Sequence, residues 1–252
     1  MCRNYVVSDE LRKLIHPLLL KAMPGRRDFS LKVLNEIPVV PKNKIFVMNH
    51  STVFDAPVAS EVIKEHFYIL VAKQSLALID RLFFLLNGVV YVDRKNAKSK
   101  KRSMERMVKI IRRGNNLLLY PEGTWNRTPS KPMLPLNWGV IDLAKRTRVP
   151  IIPIIAEFTD ETCYIMFGDA IYVDEQADKK SSINYLEDVM ATMRWDIWER
   201  VPVQKRMDTM KKEFETMMQE RVDACPRADS EYEFSVIRGR ENDPEYVFGK
   251  QD

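Results

Sequence analysis

Cysteine is scarce in this sequence: Cys2, Cys163 and Cys225 are the only three among 252 residues. Their odd number and wide spacing exclude a disulfide framework and the paired spacing of zinc ligands, and they suit a reducing cytoplasm. Glycine is also sparse, at eight residues beside 45% apolar residues, which excludes a flexible low-complexity chain and favours a packed body. Long hydrophobic runs are missing. The longest, LFFLLNGVVYV from Leu82 to Val92, is broken by Asn87 and Gly88 and falls short of the ~20 residues that a spanning helix needs. No secretory signal opens the sequence, so any contact with a membrane is expected to be peripheral and cytoplasmic.

Forty Lys and Arg face 35 Asp and Glu, a formal charge of +5. That excess favours anionic partners such as phosphates and lipid surfaces, and is too mild to argue for nucleic acid. Several chemistries lack their motifs. There is no G-x-S-x-G elbow, no G-x-x-x-x-G-K loop and no H-E-x-x-H pair. His66 stands near Glu61 and Glu65 but without a convincing third ligand, so no metal and no other cofactor is expected.

What is present is an alternation of strand and helix signals, the pattern of an α/β fold with a mostly parallel central sheet flanked by helices. Short apolar runs predict strands at Lys44–Met48, Phe67–Ala72, Val89–Val92, Asn116–Tyr120 and Ile151–Glu157, with a weaker one at Cys163–Phe167. Helical periodicity falls between them, at Pro57–Lys64, Leu76–Leu86, Ala97–Arg113 and Trp138–Arg146, and again from Ser182 to about Arg221. Length suits one domain with appendages. Residues 41–225 form its body, 1–40 an amphipathic N-terminal segment, and 226–252 a charged tail.

The stretch NHSTVFDAP, Asn49 to Pro57, sets a histidine five positions before an aspartate at the end of a strand. On a continuous helix the two side chains would diverge by about 140°. They meet only if His50 lies in the loop and Asp55 at the helix start, a placement that Pro57 favours as a first-turn residue. So joined, the carboxylate holds one imidazole nitrogen and leaves the other free to take a proton from a hydroxyl. The residues alone equally allow a plain helix start, with Asp55 complementing the helix dipole.

Three further stretches follow in order: GVVYVDR from Gly88, YPEGTWN from Tyr120 and VPIIPI from Val149. With NHSTVFD they resemble the four blocks of the glycerolipid acyltransferases, the family that contains lysophosphatidate acyltransferase. The likeness runs from about Ile45 to Ile154, and AKQSL from Ala72 is similar to the family's lysine-bearing segment. It implies His50 as general base and Asp55 as its partner, serving transfer of a fatty acyl chain from acyl-CoA or acyl-carrier protein to a lysophospholipid hydroxyl. The expected acceptor is 1-acylglycerol 3-phosphate. It further implies that Glu122, Gly123 and Thr124 face the acceptor or the oxyanion, and that Lys73 and Arg94 bind its phosphate. Two departures stand out: Trp125 replaces the arginine that usually follows EGT, with Arg127 as a substitute two residues on, and Ser75 replaces a common glutamate.

Two regions bear on partners. The predicted helix 97–113 carries eight basic residues against Glu105, suited to anionic headgroups or an acidic carrier protein, or to a solvated face. Leu11, Leu14, Ile15, Leu18, Leu19 and Ala22 recur at helical spacing. That stripe would lie in a membrane interface or pack on the core, bent at Pro17. The rival readings of the whole chain are an acyltransferase for another alcohol or amine acceptor, and a membrane-surface lipid-binding protein of the same fold that lacks the reaction.

Overall fold

Runs of apolar residues buried on both faces build the centre of the molecule, as parallel strands covered by helices require. The computed structural model describes residues 8–21, 29–40, 43–52, 54–72, 85–126, 131–159, 162–201, 216 and 220. In chain order the elements are α1 (Asp9–Lys21), β1 (Ser30–Val33), β2 (Ile45–Met48), α2 (Asp55–Val62), β3 (Phe67–Ala72), β4 (Val89–Val92), α3 (Ala97–Arg112), β5 (Asn116–Leu119), α4 (Gly139–Thr147), β6 (Ile151–Phe158), β7 (Thr162–Phe167) and α5 (Lys179–Arg200). The strands form one seven-stranded sheet in the order β1-β7-β6-β2-β5-β3-β4. Every neighbouring pair is parallel except β6 with β7.

The period of two along β2 divides the core. Ile45 and Val47 join a cluster with Met107, Ile111, Ile141, Leu143 and Leu186, under α3, α4 and α5. Phe46 and Met48 point the other way, to Val58, Ala59, Val62 and Ile63 of α2 and its end. Helices thus cover both faces. The helix starts are conventional where side chains reach back: Asn96 accepts from the Ser99 N–H at 3.0 Å before α3, and Asp178 from the Ser181 N–H at 2.8 Å before α5.

The five strands expected from strong apolar runs are present, and so is the weaker sixth, as β7. β1 was not expected. Its four residues, SLKV, alternate over too short a run to stand out, with Leu31 and Val33 on one face, and they are held by pairing with β7, Ser30 opposite Thr162 through Val33 opposite Ile165. Helix α2 starts at Asp55, two residues before the expected Pro57, so Ala56 is helical although a proline follows it. The last helix starts three residues earlier than Ser182 and ends at Arg200; most of the rest of the expected stretch to Arg221 lies outside the described residues. So does most of 76–86, apart from a helical end at 85–87.

Helix α1 settles which way its stripe faces. Arg12 and His16 are buried, while Leu11, Leu14 and Leu18 are exposed. Arg12 donates to the carbonyls of Leu85 and Leu86 and lies over the Tyr68 ring, and Asp9 accepts from the Tyr68 hydroxyl and from the Asn115 amide. His16 meets His66 edge-on at 5.3 Å, and burial pushes both imidazoles below their ordinary values, His66 to about 4. The polar face is therefore seated on the body and the apolar face is outward. The helix runs on through Pro17 to Lys21, and no helix among the described residues is long and apolar enough to cross a membrane.

Candidate active site

β2 is where the sheet's connectivity turns, because the chain after it lays β3, β4 and β5 on one side, β5 returning to its edge, and then crosses to β6 on the other. Open α/β sheets form their crevice at such a point, beyond the carboxyl ends of the strands. His50 sits two residues past the end of β2. Asn49 anchors that end: its amide donates to the Ala156 carbonyl at 2.9 Å and accepts from the Ala156 N–H at 2.8 Å.

The loop then delivers His50 to Asp55 at the first residue of α2. His50 Nδ1 lies 2.6 Å from Asp55 Oδ2. The same oxygen accepts the backbone N–H groups of Ser51 at 2.7 Å and Thr52 at 3.0 Å, and Oδ1 accepts the Thr52 hydroxyl at 3.1 Å. With a carboxylate oxygen as its partner, Nδ1 is placed to donate, which leaves Nε2 as the nitrogen without that bond. Asp55 is fully buried, whereas the His50 side chain retains 22% exposure, so the imidazole is open to a ligand and the carboxylate is not.

The segment YPEGTWN wraps around the same histidine. Gly123 has φ 67, in the left-handed region open to glycine, and its N–H donates to the Tyr120 carbonyl at 3.0 Å to close a turn. This turn brings both flanks onto His50. Glu122 Oε1 accepts the His50 backbone N–H at 2.8 Å and Oε2 the Leu134 N–H at 2.9 Å; the Asn126 N–H donates to the His50 carbonyl at 2.7 Å. Burial pushes the Glu122 carboxyl up to about 7, opposed by those two N–H bonds and by Arg194. Thr124 is fully buried, and its hydroxyl has no hydrogen-bond partner among the described residues.

The structure thus brings together His50, Asp55, Glu122, Gly123 and Thr124. Arg94 occupies the turn after β4, three strands from β2 and at the same carboxyl end of the sheet. Lys73 and Arg127 lie outside the described residues. Glu65 is committed to Lys44 at 2.6 Å and to Asn116, and His66 to the Asn87 carbonyl, so these two side chains have other partners than a metal. Sequence reasoning passed over Asn49, Tyr120 and Asn126. The first two flank motif residues at strand ends, which is the one signal that pointed to them.

Comparison with known proteins fits this geometry. The family model described as Acyltransferase matches residues 31–157, half of the chain. A 1-acyl-sn-glycerol-3-phosphate acyltransferase of Cocos nucifera is 26% identical over 114 residues, 44% of this chain and 36% of that protein. One from Borreliella burgdorferi is 29% identical over 119 residues, 46% of each. The chain therefore spans less than half the length of these relatives. Among solved structures, the 1-acyl-sn-glycerophosphate acyltransferase PlsC of Thermotoga maritima superposes with a TM-score of 0.59 at 19% identity, covering 78% of this chain and 86% of that one.

Proposed function

This chain belongs to the acyltransferase family, and from that premise we propose that it moves a fatty acyl chain from a thioester, acyl-CoA or acyl-carrier protein, to the hydroxyl of a lysophospholipid. The observation that carries the proposal is the 2.6 Å contact of His50 with a carboxylate held by Ser51 and Thr52. Nε2 takes the acceptor's hydroxyl proton as its oxygen attacks the thioester carbonyl. The tetrahedral intermediate collapses with loss of the thiolate, which receives that proton back from the imidazolium. No acyl group becomes attached to the chain. Donors beside the developing oxyanion would come from the turn around Gly123 and Thr124.

For the acceptor, 1-acylglycerol 3-phosphate is our reading, with phosphatidate as product. The relatives' names support it, and so does the position of Arg94. Three inter-strand spacings separate the ends of β4 and β2, about 14 Å at the usual strand spacing, a gap that a long arginine side chain and a glycerol phosphate share between them. Lys73 and Arg127 would add to the phosphate site, Arg127 standing in for the charge that Trp125 does not supply. Arg94→Ala should cut kcat/KM for phosphate-bearing acceptors roughly 10–100-fold, the worth of a charge-assisted contact, and spare phosphate-free ones. A panel of thioester donors against both acceptor types, read by mass spectrometry of the products, makes the comparison. Equal use of both types by wild type and variant would refute the phosphate reading.

Attachment is proposed to be peripheral, on the cytoplasmic side of a membrane. Leu14 and Leu18 are 73% and 66% exposed on α1, with basic Lys13 beside them and the basic face of α3 elsewhere on the surface. Anionic vesicles should float the protein, less so in high salt. Leu14→Ser combined with Leu18→Ser should weaken flotation severalfold. Undiminished flotation of that folded double variant would reject α1 as the contact.

A further inference from the structure

A single hydrogen bond leaves an imidazole free to swing about it. Held by Asp55 alone, the His50 ring would keep that rotation, and a base whose second nitrogen drifts by about 1 Å can lose ~10²-fold in rate. Two aromatic rings restrict it. Tyr120 lies nearly flat against the imidazole, centroids 4.4 Å apart and planes at 21°, and Trp125 meets the same ring at 5.7 Å and 76°. Both geometries are favourable ones for aromatic pairs.

The backbone explains how they arrive. β5 runs beside β2 with Val47 opposite Leu119, so the same register carries Tyr120 level with Met48, two residues before His50. The Gly123 turn then sends the chain back, and the Asn126 bond to the His50 carbonyl fixes Trp125, its neighbour, over the ring. The Tyr120 hydroxyl is buried and without a hydrogen-bond partner among the described residues. A buried hydroxyl left so adds nothing to stability, which leaves the ring itself as what the site uses.

We propose that Tyr120 and Trp125 are positioning residues that clamp the His50 imidazole in the orientation set by Asp55, with the Tyr120 face also favouring the positive charge that the ring carries during transfer. This rests on His50 being the base. The clamp acts on the step in which the proton moves, so its loss should appear in kcat and not in KM. Tyr120→Leu should lower kcat about 10–100-fold with KM within about twofold of wild type, and Tyr120→Phe should restore kcat to within about threefold. Trp125→Ala should lower kcat about tenfold, in keeping with one edge contact.

Proton NMR of the imidazole gives a readout free of substrate: ring current from the stacked face should shift the His50 ring protons upfield in wild type and Tyr120→Phe, and the shift should vanish in Tyr120→Leu. Unchanged kcat in a folded Tyr120→Leu protein, or an unshifted His50 ring in wild type, would overturn the clamp. If Tyr120→Leu does not fold, a Tyr120→Phe enzyme that has lost most of its kcat overturns it equally, since only the hydroxyl is gone. An inactive His50→Ala beside a fully active Tyr120→Leu would remove the clamp and leave the base in place. An active His50→Ala would remove the base itself.

Discussion

His50→Ala is expected to lower acyl transfer by roughly 10²–10⁴-fold, the usual contribution of a positioned general base, while leaving the fold intact. The fold should survive because the site holds residue 50 chiefly by its backbone: the N–H by Glu122 at 2.8 Å and the carbonyl by Asn126 at 2.7 Å. Alanine keeps both bonds. What disappears is Nε2, the nitrogen proposed to take the acceptor's proton. Some rate should remain, since substrate binding and oxyanion stabilisation do not pass through the imidazole. Steady-state thiol release by the purified variant, with its circular dichroism and Tm compared to wild type, measures this. Near-normal turnover in a folded protein would end the general-base account.

Asp55→Asn should cost a comparable factor, up to about 10⁴-fold, for a different reason. The asparagine oxygen can still accept from the Ser51 and Thr52 N–H groups, which now bind Oδ2 at 2.7 and 3.0 Å. In that orientation the oxygen also still faces His50 Nδ1, the N–H₂ turns to the Thr52 hydroxyl, and what is lost is the negative charge that stabilises the imidazolium. The opposite flip sets the N–H₂ against Nδ1, which forces the proton onto Nε2 and blocks the base. The substitution is close to isosteric, so Tm should fall only modestly, whereas Asp55→Ala would strand several buried donors and cost more stability. A folded Asp55→Asn enzyme with less than a tenfold loss would mean that the carboxylate only starts the helix.

The strands and the pair were legible in the sequence because their signals are local. IFVM, NLLL and IIPII are apolar runs bounded by turns, and the five-residue step from His50 to Asp55 becomes a contact once a strand end precedes it and a helix start follows. Less was legible where long-range contacts decide. β1 offers only Leu31 and Val33 as an apolar face, too short a signal to read, and is held by its register with β7. The leucine stripe of α1 was ambiguous because burial of Arg12 depends on Tyr68, Leu85 and Leu86, and that of His16 on His66, some 50 or more residues away. In the same way Glu122 read as a residue facing substrate, and its two oxygens instead hold the backbones of His50 and Leu134, 72 and 12 residues distant. Tyr120 carried no signal as a partner of the histidine, since strand register sets that stack.

The most direct measurement is release of free thiol from a long-chain acyl-CoA by the wild-type protein, with and without 1-acylglycerol 3-phosphate, followed together with the acylated product and the intact mass of the chain. Direct transfer through His50 predicts thiol release that depends on the acceptor, product formed mole for mole with the thiol, and a chain whose mass never increases by an acyl group. Thiol release at the background rate with every donor and acceptor tried would contradict it, and the fold would then serve to bind lipid without transferring it.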